Sequence, residues 1–201
     1  MKILMVDTGI REESRTRELA ELVASYLPGE KEYVKVAELV ESVENKKGTI
    51  SFLSGEKLKI REEAKETDDW SHPMFAPAHQ FAQADYIVIA APFWDMSFPA
   101  LLKMYIETIS VSGITFKYCH KGYPVGRSKA KHLFYVTTAG GPIIDDCFGY
   151  GYIKYMAETF YGIPKVHKFA AENLDIIGAD VNAIMEEARK NIRKTMESME
   201  L

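Results

Sequence analysis

Cysteine is scarce: Cys119 and Cys147 are the only two in 201 residues, with no C-x-x-C and no Cys/His cluster. That spacing excludes a disulfide framework and a zinc site, and both are expected as reduced thiols. Long apolar runs are missing as well. No stretch approaches the roughly 20 residues needed to cross a bilayer, and the opening "MKILMV" turns polar at Asp7 before it could serve as the core of a signal peptide. The expectation is a soluble, cytoplasmic protein with no membrane contact. Nor is there an excess of one charge: 25 Lys and Arg against 29 Asp and Glu give a net charge of −4, with the basic residues scattered. This leaves no electrostatic footprint for nucleic acid, and a small molecule is the default partner. The five histidines, His72, His79, His120, His132 and His167, fall in unrelated segments without metal-ligand spacing, so no metal site is expected. Linker-like stretches are also absent, and residues 1–201 read as one domain.

What the chain does have is alternation of strands and helices. "KILMVD" at 2–7 is the continuous apolar run of a strand buried on both faces. "SRTRELAELVASYL" then places Leu19, Leu22, Val23, Tyr26 and Leu27 at helical spacing, and Pro28 and Gly29 stop it. "YVKVAEL" at 33–39 alternates as a strand. Residues 41–72 are polar and charged, with a helix around 56–67, and read as a solvated excursion carrying no chemistry. A helix from Pro77, a central strand "YIVIAA" at 86–91, a helix at 99–110 begun by Pro99, and a strand "KHLFYVTT" at 131–138 follow. A helix near 150–162, a strand near 165–171 and a helix near 180–198 complete the pattern. Five strands alternating with helices predict an open, parallel, doubly wound α/β sheet of order 2-1-3-4-5. In such sheets ligands bind outside the carboxyl ends of the strands where the strand order reverses, here between strands one and three. That singles out the loops 8–16, 92–98 and 138–142.

The first loop offers Thr8, Ser14 and Thr16 where a helix exposes unpaired N–H groups, with Arg11, Arg15 and Arg17 crowding a helix end that disfavours cations. Two readings fit: a phosphate cradle, or a plain helix cap by Ser14 with Glu12 and Glu13 neutralising the arginines. Neither G-x-x-x-x-G-K-[ST] nor G-x-G-x-x-G is present, which excludes a nucleoside triphosphate loop and a dinucleotide fingerprint. The second loop holds Pro92, Phe93, Trp94, Asp95 and Met96, then Ser97, Phe98 and Pro99. Such groups suit a flat aromatic ligand, or form ordinary core between sheet and helix. Thr138, Ala139, Gly140 and Gly141 form the third loop, whose glycines allow close backbone approach. Together the loops describe a site with a phosphate at one end and a flat ring at the other.

Flavin mononucleotide has that shape, and "PFWDMSFPALLK", "SGITFKY" at 112–118, "TTAGG" at 137–141 and "SRTREL" resemble the motifs of the FMN-dependent NADH azoreductase and NAD(P)H quinone oxidoreductase family. The resemblance implies a flavodoxin-like fold and FMN held at its phosphate by Thr8, Ser14, Arg15 and Thr16. Pro92, Phe93, Trp94, Asp95 and Met96 would line the isoalloxazine, and Thr138, Ala139, Gly140 and Gly141 would close over its other edge. It further implies ping-pong transfer of two electrons from NADH or NADPH to a quinone or azo compound, with the flavin carrying the chemistry and no catalytic acid or base required. Phe98, Phe116 and Tyr118 would wall the substrate, and a homodimer is implied in which Tyr118 and the 150–162 helix face the neighbour's site. The family usually has Asn where this chain has Asp95, and often S-R-G-G where it has residues 138–141. A carboxylate facing the ring would lower the flavin's reduction potential. Three other classes share the strand pattern. A flavodoxin-type electron carrier is usually shorter and more acidic. A receiver with an acidic magnesium pocket at Asp7 and Asp95 would be much shorter. A phosphatase needs a C-x5-R loop after strand one, which is absent.

Overall fold

The N-terminal apolar run forms β1 (Lys2–Asp7), whose last five residues are buried. In the computed structural model, which describes residues 1–40 and 48–201, β1 pairs in parallel with β2 (Glu30–Lys35) on one side and β3 (Tyr86–Ala90) on the other. The sheet continues through β6 (His132–Thr138) to β7 (Lys165–Ala171), all parallel, in the order β2-β1-β3-β6-β7. This is the predicted 2-1-3-4-5 order; the numbering skips because a small antiparallel hairpin, β4 (Phe116–Tyr118) and β5 (Pro124–Gly126), intervenes.

Alternate residues of the strands serve opposite faces, which is why they read as unbroken apolar runs. Ile3, Met5, Val88, Phe134 and Val136 pack against Leu19 and Val23 of α1 (Arg15–Ser25) and Met185 and Ile192 of α7 (Val181–Glu197). Leu4, Val6, Ile87, Ile89, Leu133 and Tyr135 pack against Phe81 of α4 (Ala76–Gln83) and Leu102, Tyr105, Ile106 and Ile109 of α5 (Ala100–Ile109). The same face carries a helical segment over 147–161, in which α6 (Tyr152–Tyr155) is flanked by π-helical turns Cys147–Gly151 and Met156–Tyr161.

Two expectations change. The strand predicted at 33–39 stops at Lys35, because its partner β1 ends at Asp7, the last residue in register with it; Val36–Leu39 then turns into the short helix α2. The excursion is also less solvated than its charge suggests. From α3 (Gly55–Glu66), the buried Arg61 donates to the carbonyl oxygens of Thr108 and Ser110 at 3.2 and 3.3 Å, satisfying carbonyls at the end of α5. Trp70 covers Gly113, where a Cβ would lie 2.5 Å from the indole. Residues 41–47 of the excursion lie outside the described residues.

Candidate functional site

Three loops meet at the carboxyl edge of β1, β3 and β6. After β1 the chain is gathered around Arg17, whose guanidinium pairs with Asp7 and donates to the carbonyl oxygens of Glu12, Gly9 and Arg11 at 2.9, 3.4 and 3.3 Å. The Gly9 N–H donates to the other Asp7 oxygen at 2.8 Å. The loop is thereby folded back over the start of α1. Ser14 caps that helix, accepting from the Arg17 N–H at 3.2 Å. Thr16, buried on the first turn, places its hydroxyl 2.6 Å from that of Thr138 at the end of β6.

After β3, Trp94 and Ser97 exchange backbone hydrogen bonds of 2.9 and 2.8 Å, closing a two-residue turn in which Asp95 and Met96 have φ of 49° and 64°. Left-handed backbone at two successive non-glycine residues costs roughly 1–2 kcal/mol each, so the turn is held by its surroundings. One hold is the Phe93 N–H, which donates to the Thr138 carbonyl at 2.9 Å. After β6, the Asp175 N–H donates to Gly140 O at 2.9 Å and the Leu174 N–H to Ala139 O at 3.1 Å, laying the loop after β7 along the third loop. A Cβ at Gly140 would lie 2.4 Å from a carboxylate oxygen of Asp175, so a side chain there would push the exposed Asp175 carboxylate aside.

These loops enclose a cavity of about 680 Å³ lined by Ser14, Arg15, Thr16, Pro92, Phe93, Trp94, Thr138, Ala139 and Gly140, among others. Nine of the thirteen residues expected to hold a cofactor line it. Thr8 does not: fully buried, it donates both its N–H and its hydroxyl to the Ala90 carbonyl, at 3.0 Å each, and staples β1 to β3 beneath the cavity. Asp95 and Met96 are exposed, and neither they nor Gly141 belong to the lining. The Asp95 carboxylate is therefore not placed against the cavity. The three expected substrate residues also lie outside it. Phe116 is core, its ring 4.1 Å from that of Phe160; Tyr118 is exposed on the hairpin. Phe98 lines a neighbouring open groove with Ser97, Lys103, Phe148, Tyr152 and Tyr155.

Several lining residues had no signal in the sequence. Leu174 and Asp175 come from a loop more than 30 positions from Thr138 and reach the cavity only through backbone hydrogen bonds; Asp175 sits 3.8 Å from Arg15 across the mouth. The Arg17–Asp7 pair occupies the acid that a magnesium pocket would need. Cys147 is exposed, and the Asp145 carboxylate beside it pushes its thiol pKa up, which favours the less nucleophilic protonated form.

A family described by its flavodoxin-like fold matches residues 1–196. The chain belongs to the flavodoxin-like fold family. Among flavodoxin-like proteins, it is 40% identical over 153 residues to an FMN-dependent NADH:quinone oxidoreductase 2 of Clostridium acetobutylicum, covering 74% of each chain. It is 33% identical over 188 residues to an FMN-dependent NADH:quinone oxidoreductase of Clostridium perfringens, covering 92% of this chain and 93% of the relative. Its flavodoxin-like fold superposes on the crystal structure of an azoreductase from Bacillus anthracis with a TM-score of 0.78 at 20% identity, over 98% and 99% of the two chains.

The cavity of this flavodoxin-like chain fits a flavin monophosphate. Its volume is in the range of cofactor sites. One end has a helix N-terminus, a hydroxyl pair and Arg15, which suit a phosphate; the other has Pro92, Phe93 and Trp94, which suit a flat ring. Gly9 and Gly140 keep the walls bare, since a Cβ would crowd Ser14 Oγ at 3.0 Å and the Asp175 carboxylate at 2.4 Å.

Proposed function

We propose that this chain is an FMN-dependent NADH:quinone oxidoreductase that also accepts azo compounds. The observation that carries this is the continuity of one cavity from the Ser14–Thr16 helix start to the Phe93–Trp94 turn. When bound there, FMN supplies the hydride chemistry. The chain's own part is to hold and orient it. Thr16, Thr138, the α1 N-terminus and Arg15 receive the phosphate; Pro92, Phe93 and Trp94 flank the ring; Ala139 and Gly140 bring backbone up to it. Residues 1–201 act as one FMN-binding domain. NADH is the donor on this reading, as in the names of the relatives.

The enzyme works as a homodimer, and the support is the groove lined by Phe98, Phe148, Tyr152 and Tyr155, where Phe148 and Tyr155 stand 68% and 64% exposed beside the ring end. A second copy covering this groove would complete the substrate wall, bringing Phe98 into it. Among the described residues no helix is long and apolar enough to cross a membrane. Both cysteines are free thiols, in keeping with a reducing cytoplasm.

The test is the visible spectrum of the protein after incubation with FMN and removal of free flavin, followed by anaerobic NADH and then a quinone. Stoichiometric flavin that bleaches with NADH and recovers with quinone is the expected result. Bound flavin that NADH leaves unbleached would make the protein an electron carrier, and absence of bound flavin would overturn the reading.

A further inference from the structure

The Trp94–Ser97 turn holds two left-handed residues, neither of them glycine, at the wall of the cavity. Its own two backbone hydrogen bonds do not fix where it sits. That position is set from outside: the Phe93–Thr138 bond holds the entry to the turn, and contacts with the π-helical turn Cys147–Gly151 hold its far side. The Ser97 hydroxyl donates to the Phe148 carbonyl oxygen at 2.6 Å, across 51 positions of sequence. Gly149, one residue on, is buried against Phe93, whose ring would lie 3.6 Å from a Cβ at that position.

The π-turn is itself anchored. Asp146 accepts the Tyr150 N–H at 3.0 Å through its side chain and the Gly151 N–H at 2.8 Å through its carbonyl, and its carboxylate pairs with Lys168 of β7 at 2.6 Å. Wide helical turns of this kind recur at functional sites, where they redirect backbone groups that an α-helix would keep in its own ladder. Here the Phe148 carbonyl of such a turn accepts the Ser97 hydroxyl. A rigid line of contacts therefore runs from the sheet through Lys168, Asp146 and Phe148 to Ser97.

We propose that Ser97 is a positioning residue: its hydrogen bond to the Phe148 carbonyl holds the Trp94 end of the turn at the depth the flavin ring requires. This rests on the reading of the cavity as an FMN site. Ser97 lies outside the cavity lining and acts through the turn. Removing its hydroxyl leaves the turn's internal bonds intact while freeing the turn to move outward.

The experiment compares Ser97→Ala and Ser97→Thr with the parent protein in a Trp70→Phe background, where Trp94 is the sole tryptophan. Acrylamide quenching of Trp94 in the flavin-free protein reads the turn, FMN titration reads the site, and the urea midpoint reads global stability. Ser97→Ala is expected to raise the quenching constant and weaken FMN binding about three- to tenfold, the loss of one hydrogen bond, with little change in urea midpoint. Ser97→Thr, which keeps the donor, restores both. Unchanged quenching, or raised quenching with unchanged FMN affinity, would overturn the proposal, as would a threonine variant no better than alanine. If the parent protein takes up no FMN, the cofactor reading falls, while the quenching comparison still tests the hold on the turn.

Discussion

Arg17→Met removes the centre of the first loop and tests whether this wall of the cavity is held by one ion pair. Arg17 and Asp7 have side chains 24% and 7% exposed, so the pair is desolvated on its acidic side. Methionine keeps much of the stem's packing and deletes the charge and donors. Among the described residues, the Asp7 carboxylate is left buried with only the Gly9 N–H at 2.8 Å as a partner. Leaving one partner of a buried pair uncompensated costs about 3–5 kcal/mol. Because the guanidinium is partly exposed, the lower part of that range applies, about 3 kcal/mol. For a chain of this size that is a fall in Tm of roughly 6–12 °C. Asp7→Asn should cost less, since asparagine retains an acceptor for Gly9 and the freed guanidinium can reach water. The double variant should be less destabilised than the sum of the singles by at least about 1 kcal/mol, as contacting residues in one network are coupled. Urea unfolding of the four flavin-free proteins measures this cycle. Additive effects, or an Arg17→Met cost below about 1 kcal/mol, would refute the claim that this pair organises the loop.

Ser14→Ala should cost about 1 kcal/mol through the lost cap, and combined with Thr16→Ala it should weaken FMN binding at least several-fold in a fluorescence titration; unchanged affinity would remove these residues from the phosphate end. His132 and His167, 3.1 Å apart between β6 and β7, both have pKa values lowered first by burial and then by Lys165. Their neutral forms are favoured in the folded state, so the unfolded chain binds more protons and stability falls as pH drops below the ordinary histidine value of 6.5. His167→Gln should flatten that fall in urea midpoints between pH 7 and 5, and parallel profiles would show that the pair is not its source. Gly126→Ala should destabilise by about 3 kcal/mol, the upper part of the overpacking range, because its Cβ would lie 2.0 Å from backbone atoms of Tyr161 and Gly162. Gly141→Ala meets nothing within 4 Å and should be neutral; equal effects in thermal unfolding would contradict this account.

The sheet order was legible because β1, β3 and β6 are unbroken apolar runs joined by amphipathic helices, and two-sided burial leaves few ways to arrange them. The cavity lining was legible where loops follow strands directly, as with Ser14, Thr16, Phe93, Trp94 and Thr138. It was not legible where tertiary hydrogen bonds decide. Thr8 resembles its neighbours in type, yet its hydroxyl is committed to Ala90. Asp95 sits by sequence position in the motif expected to contact the ring, but it is exposed and absent from the cavity lining. Asp175 arrives from after β7, and nothing local marks it. The charged excursion was underestimated for a similar reason: Arg61 reads as a solvated cation, but the carbonyls it satisfies belong to a helix 47 positions away.

The Thr16 and Thr138 hydroxyls, 2.6 Å apart, carry two hydrogens between them, and one is used in the bond they share. Whichever threonine donates, one hydrogen remains. The pair therefore presents a single outward donor, which can come from α1 or from β6 as the shared proton reorients. A ligand oxygen between the two elements can be met from either side without any heavy atom moving. This end of the cavity thus has a built-in tolerance in angle, supplied by rotation of two hydroxyls.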